Sequence, residues 1–157
     1  MQEKVVYLTP EGKQRFTAEL RELTTVRRHE VEERIRRAKE FSDTVDNAEY
    51  DEAKTEQSFV EGRIQELERL LASAKVIEEP ATKADYVRMG AYIKVIDSDG
   101  GEEETYHLVG SHEADPRHGQ ISNESPIGRA LIGKRVGDEV TVVAPAGSFN
   151  LKILEIS

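Results

Sequence analysis

The sequence predicts an α+β protein in which a long antiparallel helical hairpin precedes a small antiparallel sheet with one short helix. Apolar residues recur at steps of three and four through most of residues 1–78, which is the period of a helix that buries one face. Beyond the polar stretch EPATKA at 79–84 this period ends, and short alternating or β-branched runs follow. We therefore predict a hairpin domain at 1–78, a linker at 79–84 and a second domain at 85–157.

The first helix is predicted to span about residues 10 to 40. Thr9 supplies a hydroxyl that can cap the first amides, and Pro10 suits the first helical position because its missing N–H costs nothing there. One apolar stripe follows, with a single longer step at Arg27. Its members are Phe16, Leu20, Leu23, Val31, Ile35 and Ala38.

The second helix carries a heptad seam, in which apolar positions alternate at steps of three and four. The seam consists of Tyr50, Ala53, Gln57, Val60, Ile64, Leu67, Leu71 and Ala74. A partner stripe just upstream, across a short polar turn, favours an antiparallel coiled coil within one monomeric chain. Some 28 to 30 helical residues would make an arm of roughly 45 Å. Pairing with a second copy of the chain is the alternative.

The second domain is predicted to contain a sheet of four or more strands and one helix. The strands are Tyr86 to Ile96, Glu104 to Val109, Glu139 to Ala144 and Phe149 to Ile156. Turns are predicted at Asp99-Gly100-Gly101 and at Pro145-Ala146-Gly147. Ser125-Pro126 opens the helix IGRALIG, and Gly133 ends it.

Composition narrows the class of protein. The chain has no cysteine, which excludes disulfides and cysteine-based zinc sites, and it has no apolar stretch near the roughly 18 residues of a membrane span. We expect a soluble, cytoplasmic protein. The net charge of −9 argues against a protein that coats nucleic acid by itself.

Charge is distributed unevenly along the hairpin. A basic shaft, defined by Arg27, Arg28, Arg34, Arg36 and Arg37, leads to an acidic tip at residues 42–53, SDTVDNAEYDEA. The simplest interpretation is that both are solvated helix faces. However, a helix turn needs only a few residues, and this one carries an excess of carboxylates.

Asp43 and Asp46 are the candidate metal ligands of the acidic tip. Two carboxylates three positions apart could share a Mg²⁺ ion, which prefers oxygen ligands and is often held by one or two carboxylates plus phosphate oxygens. Such a site is incomplete until other groups supply the remaining ligands. Alternatively, Asp46 and Glu49 form a capping box at the start of the second helix.

The sequence resembles the bacterial transcript-cleavage elongation factors of the Gre family over almost its whole length. The likeness lies in VYLTPEGKQRFTAELREL, in SDTVDNAEYDEAKTEQSFVEGRIQELERLL, in ASAKVIEEP and in ETYHLVGSHEADPRHGQISNESPIGRALIGKRVGDEV. The resemblance implies a coiled coil that enters the secondary channel of RNA polymerase and an FKBP-like C-terminal domain that binds the polymerase outside. It further implies a factor that stimulates cleavage of backtracked RNA by the polymerase, and not an enzyme in its own right.

The family tip reads approximately G-D-L-[SK]-E-N-A-E-Y. By position, the resemblance makes Asp43 and Asp46 the catalytic acids, which hold a Mg²⁺ ion jointly with the docked polymerase. It makes Asn47, Glu49 and Tyr50 supporting residues, and the basic shaft a surface that steers RNA or rests on the channel wall. The chain departs from the pattern at Ser42, Thr44, Val45 and Asp46. The alternative is therefore a non-cleaving Gre-like paralogue that occupies the channel and inhibits or modulates the polymerase.

Two other interpretations carry less weight. A peptidyl-prolyl isomerase needs an aromatic-lined apolar pocket, for which this half of the chain offers only Phe149, Tyr86, Tyr92 and Tyr106. His107, His112 and His118 lie within twelve positions of one another and suggest a metal site. Their closeness in sequence is better explained by one strand and one polar loop that happen to contain them.

Overall fold

The computed structural model describes residues 5–41, 47–78 and 85–157, without the side chain of Phe41. By the density of contacts, Lys13–Ala74 forms one unit, and the chain before Lys13 joins the chain after Ala74 in the other. The fold class is α+β, as predicted. The division by contacts does not decide which fragments fold alone, so the limits 1–78, 79–84 and 85–157 stay a prediction.

The first unit is an antiparallel helical hairpin. Helix α1 spans Pro10–Glu22, a π-helical segment spans Leu23–Arg27, helix α2 spans Arg28–Phe41 and helix α3 spans Ala48–Ser73. The facing stripes of α2 and α3 form a core of Val31, Ile35, Ala53, Val60 and Ile64, surrounded by half-buried Leu20, Leu23 and Tyr50. The predicted seam therefore faces the upstream helix of the same chain, although Leu70 is buried where Leu71 was expected.

The π-helical segment explains the longer step in the first apolar stripe. The Arg28 N–H donates to the Leu23 carbonyl five residues earlier, so this turn contains one residue more than an α-helical turn. The extra residue keeps Leu23 and Val31 on the same side of the helix, and both contribute to the hairpin core.

The second unit is built on a five-stranded sheet. Its strands are β3 (Tyr92–Asp97), β4 (Glu103–Val109), β5 (Gln120–Ser122), β6 (Glu139–Ala144) and β7 (Gly147–Ile156), and helix α4 spans Pro126–Leu131. The strand order is β5-β4-β3-β7-β6. Eleven buried apolar residues form the core on one face, centred on Ile93, Leu108, Leu131, Val142 and Ile153.

The structure corrects three details of the predicted sheet. The sheet is mixed, because β4 and β5 pair in parallel. The three-residue β5 was missed, since so short a run carries no measurable periodicity. The strand predicted to start at Tyr86 starts at Tyr92, because Gly90 at φ +88° belongs to a turn and Tyr86 makes only an isolated bridge to Arg135.

A two-stranded ribbon lies beside the start of α1. Strand β1 (Tyr7–Leu8) pairs in parallel with β2 (Lys75–Val76), and Tyr7 lies opposite Lys75. A Cβ atom at Gly110 would overlap the carbonyl oxygen of Tyr7, so only glycine fits there. Neither strand was predicted, because each has only two residues.

No helix within 5–41, 47–78 or 85–157 is long and apolar enough to cross a membrane.

Candidate functional site

The acidic tip is described from Asn47 onward. Asp43 and Asp46 lie outside the described residues, so their roles as catalytic acids and metal ligands stay predictions. What the structure describes is the neck of the tip, where α2 ends at Phe41 and α3 begins at Ala48.

Asn47 connects the two helices at this neck. Its Oδ1 atom accepts a hydrogen bond of 3.1 Å from the Tyr50 N–H, which makes Asn47 the N-cap of α3. Its Nδ2 atom donates a hydrogen bond of 2.9 Å to the Ala38 carbonyl oxygen in the last turn of α2. The first four amides and the last four carbonyls of a helix have no partner within it. One side chain therefore satisfies an orphan group at the end of each helix.

The predicted capping box pairs Asp46 with Glu49, and it stays a prediction because Asp46 lies outside the described residues. Among the described residues, the side chain that caps α3 is that of Asn47, one position later. Asparagine and aspartate cap helices about equally well, so the sequence alone could not choose between them. Glu49 is exposed in the first turn of α3, where a carboxylate interacts favourably with the positive end of the helix dipole.

Tyr50 provides a second contact across the neck. Its ring packs against the hairpin core, and the Lys39 Nζ atom lies 5.9 Å from the ring centroid. A cation at this distance over an aromatic face is attracted by the ring quadrupole. Ala38 and Lys39, adjacent on α2, thus both contact the first residues of α3. Neither contact was predicted from the sequence.

The basic shaft is a set of ion pairs and not a row of free cations. Arg28 binds Glu61 of α3 through two hydrogen bonds of 2.8 and 3.0 Å, whereas Arg27 and Arg34 both contact Glu56. The other two arginines pair within α2. Arg36 contacts Glu33 and Glu40, and Arg37 lies 3.4 Å from Glu33.

These ion pairs shift the pKa values of the groups involved. Hydrogen bonding to Arg28 lowers the pKa of Glu61, and hydrogen bonding to Arg36 lowers the pKa of Glu33. The pKa of Arg28 is raised by the bond to Glu61. Both partners are therefore charged at neutral pH, and a phosphate that binds the shaft must compete with carboxylates already in place.

Two family profiles match the chain and together cover both units. The one described as "Transcription elongation factor, N-terminal" matches residues 6–76, and the one described as "Transcription elongation factor, GreA/GreB, C-term" matches residues 81–157. The chain belongs to the GreA/GreB family of transcription elongation factors.

Curated members of the GreA/GreB family are similar over nearly their full length. The chain is 54% identical over 153 residues to transcription elongation factor GreA of Thermoanaerobacter pseudethanolicus, with 98% of each chain covered. It is 50% identical over 156 residues to GreA of Bacillus licheniformis, with 99% of each covered. Among solved structures, Gfh1 of Thermus thermophilus is 29% identical, with 98% of this chain and 99% of that chain covered and a TM-score of 0.45.

Other candidate sites in this GreA/GreB chain have little support. Within the described ranges, no three histidine or acidic side chains lie close enough to share a metal ion. Among the histidines, His107 stacks on Tyr92 at 4.0 Å, whereas the His118 Nδ1 atom lies 2.6 Å from Asp115.

The four aromatic residues considered for an isomerase pocket are divided between different places. Tyr106 and Phe149 line an open groove of about 480 Å³ that also contains three carboxylates, those of Asp97, Glu102 and Glu104. Tyr92 stacks on His107 instead.

Proposed function

We propose that this chain is an elongation factor that binds bacterial RNA polymerase, inserts its helical hairpin into the secondary channel and stimulates cleavage of backtracked RNA. The observation that carries the proposal is family membership across both units, from residue 6 to residue 157. In this proposal, cleavage at the RNA 3′ end is the polymerase's own reaction, and the chain restores elongation in stalled complexes. The sheet unit would supply most of the binding to the polymerase.

Asp43 and Asp46 are the proposed catalytic acids. The chain between the end of α2 and the start of α3 carries two carboxylates, Asp43 and Asp46, which suits a tip that holds Mg²⁺ jointly with the polymerase. When bound, the ion would polarise the scissile phosphate and lower the pKa of the attacking water. We expect the chain by itself to bind Mg²⁺ weakly.

The paired arginines give the shaft a specific role in this proposal. Arg28 and Glu61 join α2 to α3, as do Arg27 and Arg34 through Glu56. A rigid arm would carry the tip to the active centre at a fixed depth. Backtracked RNA would then contact the shaft only where a phosphate displaces a carboxylate from an arginine.

The decisive experiment adds the protein to a stalled, backtracked transcription complex with Mg²⁺. We expect release of short 3′ RNA fragments followed by renewed elongation. Asp43→Asn keeps the size of the side chain while removing its charge, and should abolish cleavage while still competing with the wild-type protein for the polymerase. Glu68→Gln is the matched control, because Glu68 is an exposed acid of α3 outside the acidic tip. Its loss of one charge should leave cleavage near the wild-type rate.

The same experiment separates the cleavage factor from the channel-occupying inhibitor. A wild-type protein that releases no fragments at any Mg²⁺ concentration, but slows nucleotide addition, would establish the inhibitor. The shorter side chain of Asp46 would then be the first cause to test, since a misplacement of a catalytic group by roughly 1 Å can lower the rate about 100-fold. Asp46→Glu, which introduces the residue of the family pattern, should in that case restore cleavage.

A further inference from the structure

We propose that Asn47 is a positioning residue whose side-chain amide closes the neck of the acidic tip. This inference rests on the proposed function, because it assigns to Asn47 the task of holding the helix ends on either side of the two catalytic acids. Its basis is geometric and lies wholly within the described residues. The 2.9 Å bond from the Asn47 Nδ2 atom to the Ala38 carbonyl oxygen spans nine positions of the chain.

The two halves of the amide perform separable tasks. The Oδ1 atom caps α3, a task that serine or aspartate performs about as well as asparagine. The Nδ2 atom donates across the neck, which neither replacement can do: a carboxylate has no donor when ionised, and the serine hydroxyl is too short to reach. Of these three residues, only asparagine can satisfy both helix ends at once from this position.

The residues at both ends of the Asn47–Ala38 hydrogen bond are held in place by neighbouring contacts. Ala38 is buried, and Tyr50, whose N–H donates to Asn47, packs against the hairpin core. Lys39 contacts the Tyr50 ring beside it. Because both bonding partners of Asn47 belong to packed helices, the bond fixes the separation of the helix ends from which the tip residues start.

Asn47→Ser and Asn47→Asp test this assignment together. Both retain the cap and the polymerase-binding surface, so the concentration for half-maximal effect should stay close to wild type and thermal stability should fall only by the loss of one hydrogen bond. Both should lower the maximal cleavage rate by about tenfold to 100-fold, the scale expected for a misplaced catalytic group. Ala48→Ser is the matched control, because Ala48 is exposed and lies one position along.

A second measurement needs no polymerase. The chain has no cysteine, so Glu40→Cys with Glu52→Cys supplies the sole pair of attachment points for spin labels, both at exposed positions that flank the neck. We expect a narrow distance distribution in the labelled parent protein and a broader one once Asn47→Ser is added. Ala48→Ser should leave the distribution narrow.

The outcomes separate this inference from the function on which it rests. If the wild-type protein cleaves and both Asn47 variants match its rate, or if Asn47→Ser leaves the distance distribution narrow, the positioning role is wrong while the cleavage function stands. A purely capping role for Asn47 predicts that match. If the wild-type protein releases no fragments, the proposed function fails and the positioning role fails with it.

Discussion

The carboxylate of Glu113 accepts hydrogen bonds from both the backbone N–H and the side-chain hydroxyl of Thr9, although the two residues lie 104 positions apart. The N–H bond measures 2.7 Å, and both residues are buried. Thr9 in turn caps α1 by accepting from the Gly12 N–H at 3.0 Å. A buried acid from the turn after β4 therefore completes the start of the first helix.

Replacing Glu113 by glutamine should destabilise the sheet unit. An amide would place an NH₂ group or a weaker acceptor against the Thr9 hydroxyl, and hydrogen bonds to charged groups contribute about 1.5–3 kcal/mol. We expect Glu113→Gln to lower the free energy of unfolding in urea by about 1–3 kcal/mol. Glu102→Gln, at an exposed position of the same unit, is the control and should change it little. An equal effect of both changes would contradict the prediction.

Two glycines in helices should respond to alanine with opposite signs. A Cβ at Gly12 would overlap the Glu113 carboxylate, whereas a Cβ at Gly62 would meet nothing within 4 Å. Alanine in a helix interior is favoured over glycine by about 0.5–1 kcal/mol. Gly62→Ala should therefore raise the urea midpoint and Gly12→Ala should lower it. Stabilisation by both would mean that the carboxylate moves aside at little cost.

The Arg28–Glu61 pair predicts a pH dependence of hairpin stability. Because Arg28 lowers the pKa of Glu61 in the folded chain, the pair stabilises the fold above the ordinary glutamate pKa of about 4.3. This contribution is lost as the pH falls through the lowered pKa. In an NMR titration of the carboxyl carbons, Arg28→Gln should move the pKa of Glu61 upward. Arg36→Gln removes the same charge elsewhere on α2 and should leave Glu61 unchanged.

His107 predicts a second pH effect, in the sheet unit. Burial lowers its pKa, an effect opposed by the charges of Glu113 and Glu11 and by the backbone of Gly90. As the pH falls through about 6.5, the unfolded chain takes up the proton first, so stability should fall on acidification. His107→Phe keeps a ring to stack on Tyr92 and should flatten stability between pH 7 and 5. His29→Gln changes an exposed histidine and should leave the pH dependence of stability as in the wild type.

Local sequence patterns predicted the helices well, whereas pairings between residues far apart in the chain could not be predicted from the sequence. Thr9-Pro10 marks the start of α1, and the seam of α3 faces α2, because capping and periodicity act within a few residues. Strand β5 and the Glu113 partner of Thr9 depend on the folded topology. The hydrogen bond from Asn47 to Ala38 could not be predicted for a related reason. Its acceptor is a backbone carbonyl, which every residue type has, so the sequence does not indicate which one is used.

The pairing of Tyr7 with Lys75 makes the whole hairpin an insertion between two neighbouring strands. Adjacent strands lie about 5 Å apart, so the chain leaves the ribbon and returns to it at almost the same point. A segment of any length whose ends lie this close together fits between these strands without changing the pairing of β1 with β2. The hairpin can therefore be exchanged as a unit. Chimaeras that join the hairpins of relatives with different tips to the sheet unit of this chain would allow the cleavage activities of those tips to be compared.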